Sequence, residues 1–227
     1  MNKQYANTKQ MTIVSSGLRR PRWICSNVKQ DAVVVRDRSL SMSGQKAKDA
    51  SDASRDLVVE LADPANKGGF SVAIVDFATR SKVIRNLESA TTLKGRVPDL
   101  SVDEEGCTNI TSGLADAQAI LAKADRQQEG IYLRPVVLIL TDGCHNVGRE
   151  PHAIAAQLKG IADLVTVAFG DDADEALLRS IATTSQHFYR CSSGRDLRRF
   201  LAAVGATMGA TMAANANATE ALTTIQQ

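Results

Sequence analysis

Long apolar runs are missing from this sequence of 227 residues. No apolar stretch approaches the roughly 20 residues that a membrane-spanning helix needs. The amino-terminal residues also lack the uninterrupted apolar core of a signal peptide. We therefore expect a cytoplasmic protein that makes no membrane contact.

Paired cysteines and a charge excess are missing as well. The four cysteines are scattered without C-x-x-C spacing, which disfavours a zinc site and a dense disulfide framework. The formal net charge is +2, from 27 basic and 25 acidic residues, which gives no electrostatic footprint for nucleic acid. A hydrophobic content of 44% in a chain of this length is sufficient for one sizeable core, so we expect one main domain.

Short apolar runs of strand length alternate with segments of helical spacing along most of the chain. The runs are rich in β-branched residues, which favours buried parallel strands. The segment "SKVIRNL" (81–87) follows the second run too closely for a crossover helix, which predicts an antiparallel edge strand. Together the pattern predicts a doubly wound α/β sheet with helices on both faces. The predicted strands cover residues 32–35, 70–78, 81–87, 135–141, 163–170 and 187–191, and helical spacing covers 47–61, 114–124, 154–161, 177–181 and 197–204.

Polar residues follow two of the predicted parallel strands, and a third polar loop leads into a helix. The first strand ends in Asp37, Ser39 and Ser41, "LTDG" places Asp142 after the third parallel strand, and "GCTNI" carries Thr108. Ligands of such sheets bind beyond the carboxyl ends of the strands, where the strand order reverses. Alternation along an extended turn would place Asp37, Ser39 and Ser41 on one side. Two carboxylates and three hydroxyls form an all-oxygen set that suits a hard cation such as Mg²⁺.

The motifs "DRSLSMSG", "GCTNI" and "LTDG" resemble, in this order, the metal-ion-dependent adhesion site of von Willebrand factor A domains. That pattern is Asp-x-Ser-x-Ser, then a Thr, then an Asp, and the resemblance covers roughly residues 30–205. Within the family the sequence is most similar to small bacterial intracellular members associated with tellurite resistance. Arg38 and Leu40 stand where the family often has a small residue and Gly, but every ligand position is intact.

The resemblance implies a six-stranded, mostly parallel sheet, a metal site and a function in binding other proteins. Ser39, Ser41 and Thr108 would contact the ion, and Asp37 and Asp142 would act largely through bound waters. The expected ion is Mg²⁺, with Mn²⁺ or Ca²⁺ as the alternatives. Neutral hydroxyl ligands leave such an ion short of negative charge, so a Glu or Asp side chain of a partner protein would complete its shell. The chain would then be an interaction module of a bacterial stress-response or signalling assembly, and not an enzyme.

Two other functions remain open at this point. Ser41, Asp142 and one of the histidines at 145, 152 and 187 could form the triad of a serine-type hydrolase. Ser41, however, lies in no G-x-S-x-G sequence, and no histidine is favoured by its position. Nucleotide binding at the same sheet edge lacks both G-x-G-x-x-G and G-x-x-x-x-G-K-[ST].

Both ends of the chain lie outside the resemblance. We expect an N-terminal extension over residues 1–29, the metal-binding domain over 30–205 and a C-terminal tail over 206–227. In the tail, Met208 and Met212 form a helical stripe, which indicates either an extension of the last helix or a surface for self-association. Cys107 and Cys144 flank two candidate ligands, where they are either small packed residues or a redox-sensitive pair.

Overall fold

The computed structural model describes residues 27–126 and 130–225. Over these residues the chain forms seven strands and seven α-helices. The strands are β1 (Val28–Asp37), β2 (Phe70–Phe77), β3 (Ser81–Ser89), β4 (Ile131–Tyr132), β5 (Val136–Thr141), β6 (Asp163–Phe169) and β7 (Phe188–Cys191). The helices are α1 (Gln45–Leu61), α2 (Ala90–Leu93), α3 (Ile110–Ala122), α4 (His152–Lys159), α5 (Glu175–Ile181), α6 (Gly194–Ala213) and α7 (Thr219–Leu222). None of the helices described here is long and apolar enough to cross a bilayer.

The main sheet has six strands in the order β3-β2-β1-β5-β6-β7. All neighbours are parallel except β3, which pairs antiparallel with β2 at one edge. The doubly wound, mostly parallel fold and the antiparallel edge strand are therefore confirmed. The two-residue strand β4 pairs with the start of β1 and was not predicted, since two residues carry no periodicity.

Strand β1 lies in the middle of the sheet and is buried on both faces. Val33 and Val35 belong to the apolar core that contains α3, α4 and α5, whereas Ala32 and Val34 belong to the core that contains α1 and α6. Successive side chains point to opposite faces of a strand, so a run of small and β-branched residues fills both cores. Burial of each valine side chain stabilises the fold by roughly 1.5–3 kcal/mol.

The C-terminal tail continues the last long helix. Helix α6 runs through residue 205 to Ala213, and Met208 and Met212 are buried against the domain's own core. These two methionines therefore offer no free surface for self-association. At the other end, β1 begins at Val28, and residues 1–26 of the expected N-terminal extension lie outside the described residues.

The strand order reverses between β1 and β5. The chain leaves β1 to form β2 on one side, and it returns to place β5 on the other side. Arg36 lies beside Leu140 in this pairing, so Asp37 and Thr141 end their strands next to each other. The first and third polar motifs thus meet at one edge of the sheet.

Candidate metal centre

Asp37 is the last residue of β1, and its fully buried carboxylate pairs with no cation among residues 27–126 and 130–225. One oxygen accepts a hydrogen bond of 2.8 Å from the backbone N–H of Ser39, and the other accepts one from the hydroxyl of Thr141. Burial raises the pKa of Asp37 above its ordinary value, and the nearby charge of Asp142 raises it further. The hydrogen bonds from Thr141 and Ser39 oppose this shift, because they stabilise the ionised form.

The two serines lie side by side next to the second carboxylate. The Oγ atoms of Ser39 and Ser41 are 3.1 Å apart, and the Ser41 hydroxyl donates to Asp142 Oδ1 at 2.7 Å. The extended turn predicted here is wrong, since Leu40–Met42 form a turn of 3-10 helix. This tighter turn brings Ser41 back toward Ser39 and leaves the side chain of Leu40 53% exposed.

Thr108 reaches the same place from the loop before α3, and its backbone is clamped by Asn146. The Thr108 N–H donates to Asn146 Oδ1 at 2.9 Å, and the Asn146 N–H donates to the Thr108 carbonyl at 3.1 Å. A Cβ atom at Gly143 would lie 3.1 Å from Thr108 Oγ1 and 3.6 Å from Ser41 Oγ. The missing side chain at Gly143 thus leaves space between these hydroxyls.

Two arginines hold the loop that leads to Thr108. The fully buried Arg36 donates to the Pro98 carbonyl at 3.0 Å. Arg38 donates to Asp103 Oδ2 at 3.0 Å, and the Asp103 N–H donates to the Arg38 carbonyl at 2.7 Å. Arg38, which departs from the family pattern, therefore points away from the hydroxyls and ties β1 to this loop.

Lys46 in the first turn of α1 is a site residue that the sequence analysis missed. Its Nζ lies 2.5 Å from Asp142 Oδ2 and 4.0 Å from Asp172 Oδ2. Asp142 is fully buried, whereas about a third of the Lys46 side chain is exposed. Asn146 and Thr141 were also missed as supporting residues, although Thr141 lies within the "LTDG" motif.

The donor set fits a hard divalent cation. Hydroxyls of Ser39, Ser41 and Thr108 and carboxylates of Asp37 and Asp142 converge on one edge of the sheet, and all these donors are oxygen atoms. Over residues 27–126 and 130–225, no cluster of three or more His, Cys, Asp or Glu side chains could hold a metal ion. A metal bound at this edge would thus rely on the hydroxyls, as Mg²⁺ with retained waters can.

The arrangement of a serine hydrolase is not formed around Ser41. In the described chain the Ser41 hydroxyl donates to Asp142, and none of the three histidines hydrogen-bonds with Ser41. His145 Nδ1 accepts from the N–H of Ile110 at 3.2 Å, so the neutral ring has its proton on Nε2 and cannot accept one from a hydroxyl there. A nucleophile without an adjacent base is not activated.

Cys107 and Cys144 are both exposed free thiols on this face. The Cys144 thiol donates to the Asp172 carbonyl at 3.6 Å, whereas the N–H of Cys107 donates to Thr79 Oγ1 at 2.9 Å. The two cysteines thus contact different loops. A redox role for the pair stays a prediction.

Comparison with known proteins identifies one family and several solved structures with a similar fold. A family model described as von Willebrand factor type A domain matches residues 31–203. Proximal thread matrix protein 1 of the mussel byssus, in a structure with a zinc-occupied MIDAS motif, aligns at 23% identity with a TM-score of 0.66 over 82% of this chain. The alignment spans 47% of the mussel chain, so this protein corresponds to about half of that length.

Two bacterial structures have the same fold. A von Willebrand factor type A protein from Catenulispora acidiphila aligns at 19% identity, with a TM-score of 0.65, over 79% of this chain and 42% of its own. The domain of the type V pili tip protein Mfa5 from Porphyromonas gingivalis aligns at 15% identity, with a TM-score of 0.65, over 82% of this chain and 97% of its own. No curated protein matched the sequence.

Proposed function

Because this chain belongs to the von Willebrand factor type A domain family, we propose that it is a metal-dependent interaction module that binds an acidic side chain of a partner protein. The observation that carries the proposal is the convergence of three hydroxyls and two fully buried carboxylates at the point where the strand order reverses. Burying carboxylates without arginine partners is costly, and a bound cation offsets that cost.

In this proposal the hydroxyls of Ser39, Ser41 and Thr108 contact the ion directly. Asp37 and Asp142 hold it through waters, and Asp37 also orients the turn by accepting from the Ser39 N–H. The ion supplies a positive charge with an incompletely neutralised shell, which attracts a carboxylate. The chain's own contribution is to keep five oxygen groups from three loops within reach of one point.

We propose Mg²⁺ as the ion, with Mn²⁺ or Ca²⁺ as alternatives. The all-oxygen donors favour hard cations over the softer ions that thiolates and imidazoles select. The mussel matrix protein carries zinc at its corresponding motif in one structure, which shows that such sites accept other divalent ions in that protein. Competition between Mn²⁺ and Mg²⁺ therefore belongs to the first test.

We further propose a setting and boundaries for this module. The motif likeness supports a cytoplasmic, bacterial, non-enzymatic protein of the tellurite-resistance-associated type, acting in a stress-response or signalling assembly. The module would cover residues 30–205, between an extension over 1–29 and a tail over 206–227. Self-association through the tail would need its exposed residues, because Met208 and Met212 are buried.

The first test of the function measures metal binding directly. Free Mn²⁺ gives an electron paramagnetic resonance signal that falls when protein binds the ion, and added Mg²⁺ should restore it. The variant Thr108→Val keeps the shape of the side chain but loses the hydroxyl, so Mn²⁺ should bind at least about 10-fold more weakly. Thr91→Val removes an exposed hydroxyl from α2 and should leave Mn²⁺ binding unchanged.

The second test asks whether metal and partner binding are linked. Pull-down from a bacterial lysate should capture a protein in MgCl₂ that is lost both in EDTA and with Thr108→Val as the bait. Capture that is equal in all three conditions contradicts the proposal. Labelling of Ser41 by an activated phosphonate, abolished in Ser41→Ala, would instead support a serine hydrolase.

A further inference from the structure

We infer that Lys46 is a built-in cation of this site that weakens binding of the divalent ion and strengthens binding of the partner's carboxylate. The inference rests on the proposed function and deepens it, because it names a residue that sets the balance between the two ligands. It predicts opposite changes in two affinities when one side chain is replaced. A purely structural role for Lys46 predicts no such opposition.

Both carboxylate oxygens of Asp142 already have partners. Its Oδ1 accepts from the Ser41 hydroxyl at 2.7 Å, and its Oδ2 lies 2.5 Å from Lys46 Nζ. Asp142 is fully buried, so Lys46 is the cation that offsets the cost of burying this charge among the described residues. A divalent ion that approaches Asp142 therefore meets an ammonium group already in place.

Helix stability does not explain a lysine at this position. Lys46 is the second residue of α1, and the first turn of α1 contains no acidic residue. The positive end of the helix dipole lies there, and it disfavours cations by a few tenths of a kcal/mol. Gly44, with a φ of +69°, lets the chain turn from the 3-10 segment into α1 and so directs this first turn toward Asp142.

The charge balance gives the expected direction of each effect. The formal charges of Asp37, Asp142 and Lys46 sum to −1, and a bound divalent ion makes the site positive by one. Without the lysine, the same site would be doubly negative when empty and neutral when loaded. The divalent ion would then bind more tightly, but the loaded site would attract a carboxylate less strongly.

A second carboxylate lies within reach of Lys46 when the ion binds. Asp172 Oδ2 lies 4.0 Å from its Nζ, and the Asp172 side chain is 82% exposed, so water screens that charge. The absent side chain at Gly170 leaves space beside Lys46, because a Cβ built at Gly170 would lie 3.5 Å from Lys46 Nζ. The lysine can thus move between the two carboxylates without disturbing the core, and it stays beside the incoming anion.

The first measurement compares Mg²⁺ binding by isothermal titration calorimetry for the wild type and Lys46→Met in the full chain. We expect Lys46→Met to bind Mg²⁺ roughly 5- to 30-fold more tightly. Lys48→Met removes the same charge from an exposed position two residues further along α1, and it should change the affinity less than about 2-fold. Lys46→Gln keeps a hydrogen-bond donor near Asp142, and it provides the comparison if Lys46→Met folds poorly.

The second measurement uses acetate as the carboxylate probe, titrated at saturating MgCl₂ and followed by NMR chemical shifts. Acetate should bind roughly 3- to 10-fold more weakly to Lys46→Met or Lys46→Gln than to the wild type. Equal Mg²⁺ affinity in wild type and variants, or changes of both affinities in the same direction, would overturn the inference alone. No Mg²⁺ binding by any of the proteins would overturn the proposed function and the inference with it.

Discussion

Four aspartates of the described chain are no more than 2% exposed, and they divide into two kinds whose difference separates structure from function. Asp76 is 2% exposed and Asp163 is fully buried, and each is neutralised by an arginine. Asp37 and Asp142 are as deeply buried, but hydroxyls and one partly exposed lysine are their partners. The same side chain at the same depth is thus permanently neutralised at one place and left open to a cation at another.

The arginine pairs are fixed by many hydrogen bonds. Arg36 contacts both oxygens of Asp76, at 2.7 and 3.0 Å. Arg134 Nε lies 2.7 Å from one oxygen of Asp163, whose other oxygen accepts from the Thr219 hydroxyl at 2.6 Å. A planar guanidinium in such a pair is always charged and has little freedom to leave. These two aspartates hold strands and the C-terminal segment together.

At the candidate site, no arginine of the described chain pairs with either carboxylate. Hydroxyls donate to a carboxylate but do not neutralise it, and a lysine stem is flexible enough to move aside. An exchangeable cation can therefore bind at Asp37 and Asp142, whereas it would have to displace an arginine at Asp76 or Asp163.

The largest effect is expected at the Arg36–Asp76 pair. Arg36→Met leaves Asp76 buried without its cation, which should lower the free energy of unfolding by about 3–5 kcal/mol. Guanidinium chloride unfolding measures this. Arg36→Met combined with Asp76→Leu removes both charges and should recover most of the loss. A loss below about 1 kcal/mol in the single variant would show that Asp76 is not held by its arginine.

Asp142→Asn should instead weaken metal binding strongly while changing the free energy of unfolding only slightly. Its Lys46 partner is about a third exposed and can move into water, so unfolding in EDTA should change by less than about 1.5 kcal/mol. Mg²⁺ measured by calorimetry should bind about 10- to 100-fold more weakly.

The matched control for Asp142→Asn is Asp172→Asn. It removes an exposed carboxylate that also lies near Lys46, and it should change Mg²⁺ affinity less than about 3-fold. If the two variants weaken Mg²⁺ binding equally, general surface charge and not the buried site governs the ion.

The fold and the positions of the motifs on its strands could be predicted from the sequence alone. Valine-rich runs that are buried on both faces can only be central strands, and the motif after each such strand must lie at its carboxyl end. The meeting of Asp37 with Asp142 therefore followed from strand order. Their identity as ligands stays a prediction.

The supporting contacts could not be predicted in the same way. Arg36 and Asp76 lie 40 residues apart, and Lys46 and Asp142 lie 96 apart, so no local pattern links the partners. The turn after β1 was also misread, because alternation was extended past the end of the strand into a 3-10 turn. Side-chain pairing across loops depends on the folded geometry, which periodicity does not encode.

A smaller effect on the metal is expected from the clamp on Thr108. Asn146→Ala removes the oxygen that accepts from the Thr108 N–H, which should lower the free energy of unfolding by about 1 kcal/mol. The Thr108 hydroxyl would then be held less firmly, so Mn²⁺ binding measured by paramagnetic resonance should weaken about 3- to 10-fold. Asn66→Ala removes a similar amide from a turn far along the chain, and it should leave Mn²⁺ binding unchanged. Unchanged binding in Asn146→Ala would mean that Thr108 needs no clamp.

The smallest effect concerns pH, and it tests the structural side of the contrast. His187 is fully buried beside the C-terminal segment, where its Nε2–H donates to the Thr219 carbonyl at 3.0 Å and its Nδ1 accepts from the Thr184 hydroxyl. Burial lowers the pKa of His187 from 6.5, although the Thr219 carbonyl and the charge of Asp163 oppose the shift. Below pH 6.5 the unfolded chain therefore takes up a proton that the folded chain resists.

This stabilisation is complete above pH 6.5 and falls as the pH decreases toward the folded pKa of His187. Between pH 7.5 and 6.0 the loss from one such group cannot exceed about 0.8 kcal/mol. Urea unfolding in EDTA should show it as a difference between the wild type and His187→Gln, which cannot titrate. The carboxyls of Asp31 and Asp37, whose pKa values burial raises, act in the opposite direction in both proteins and cancel in that difference. Parallel pH profiles for the two proteins would show that His187 takes up its proton as readily in the folded chain as in the unfolded one.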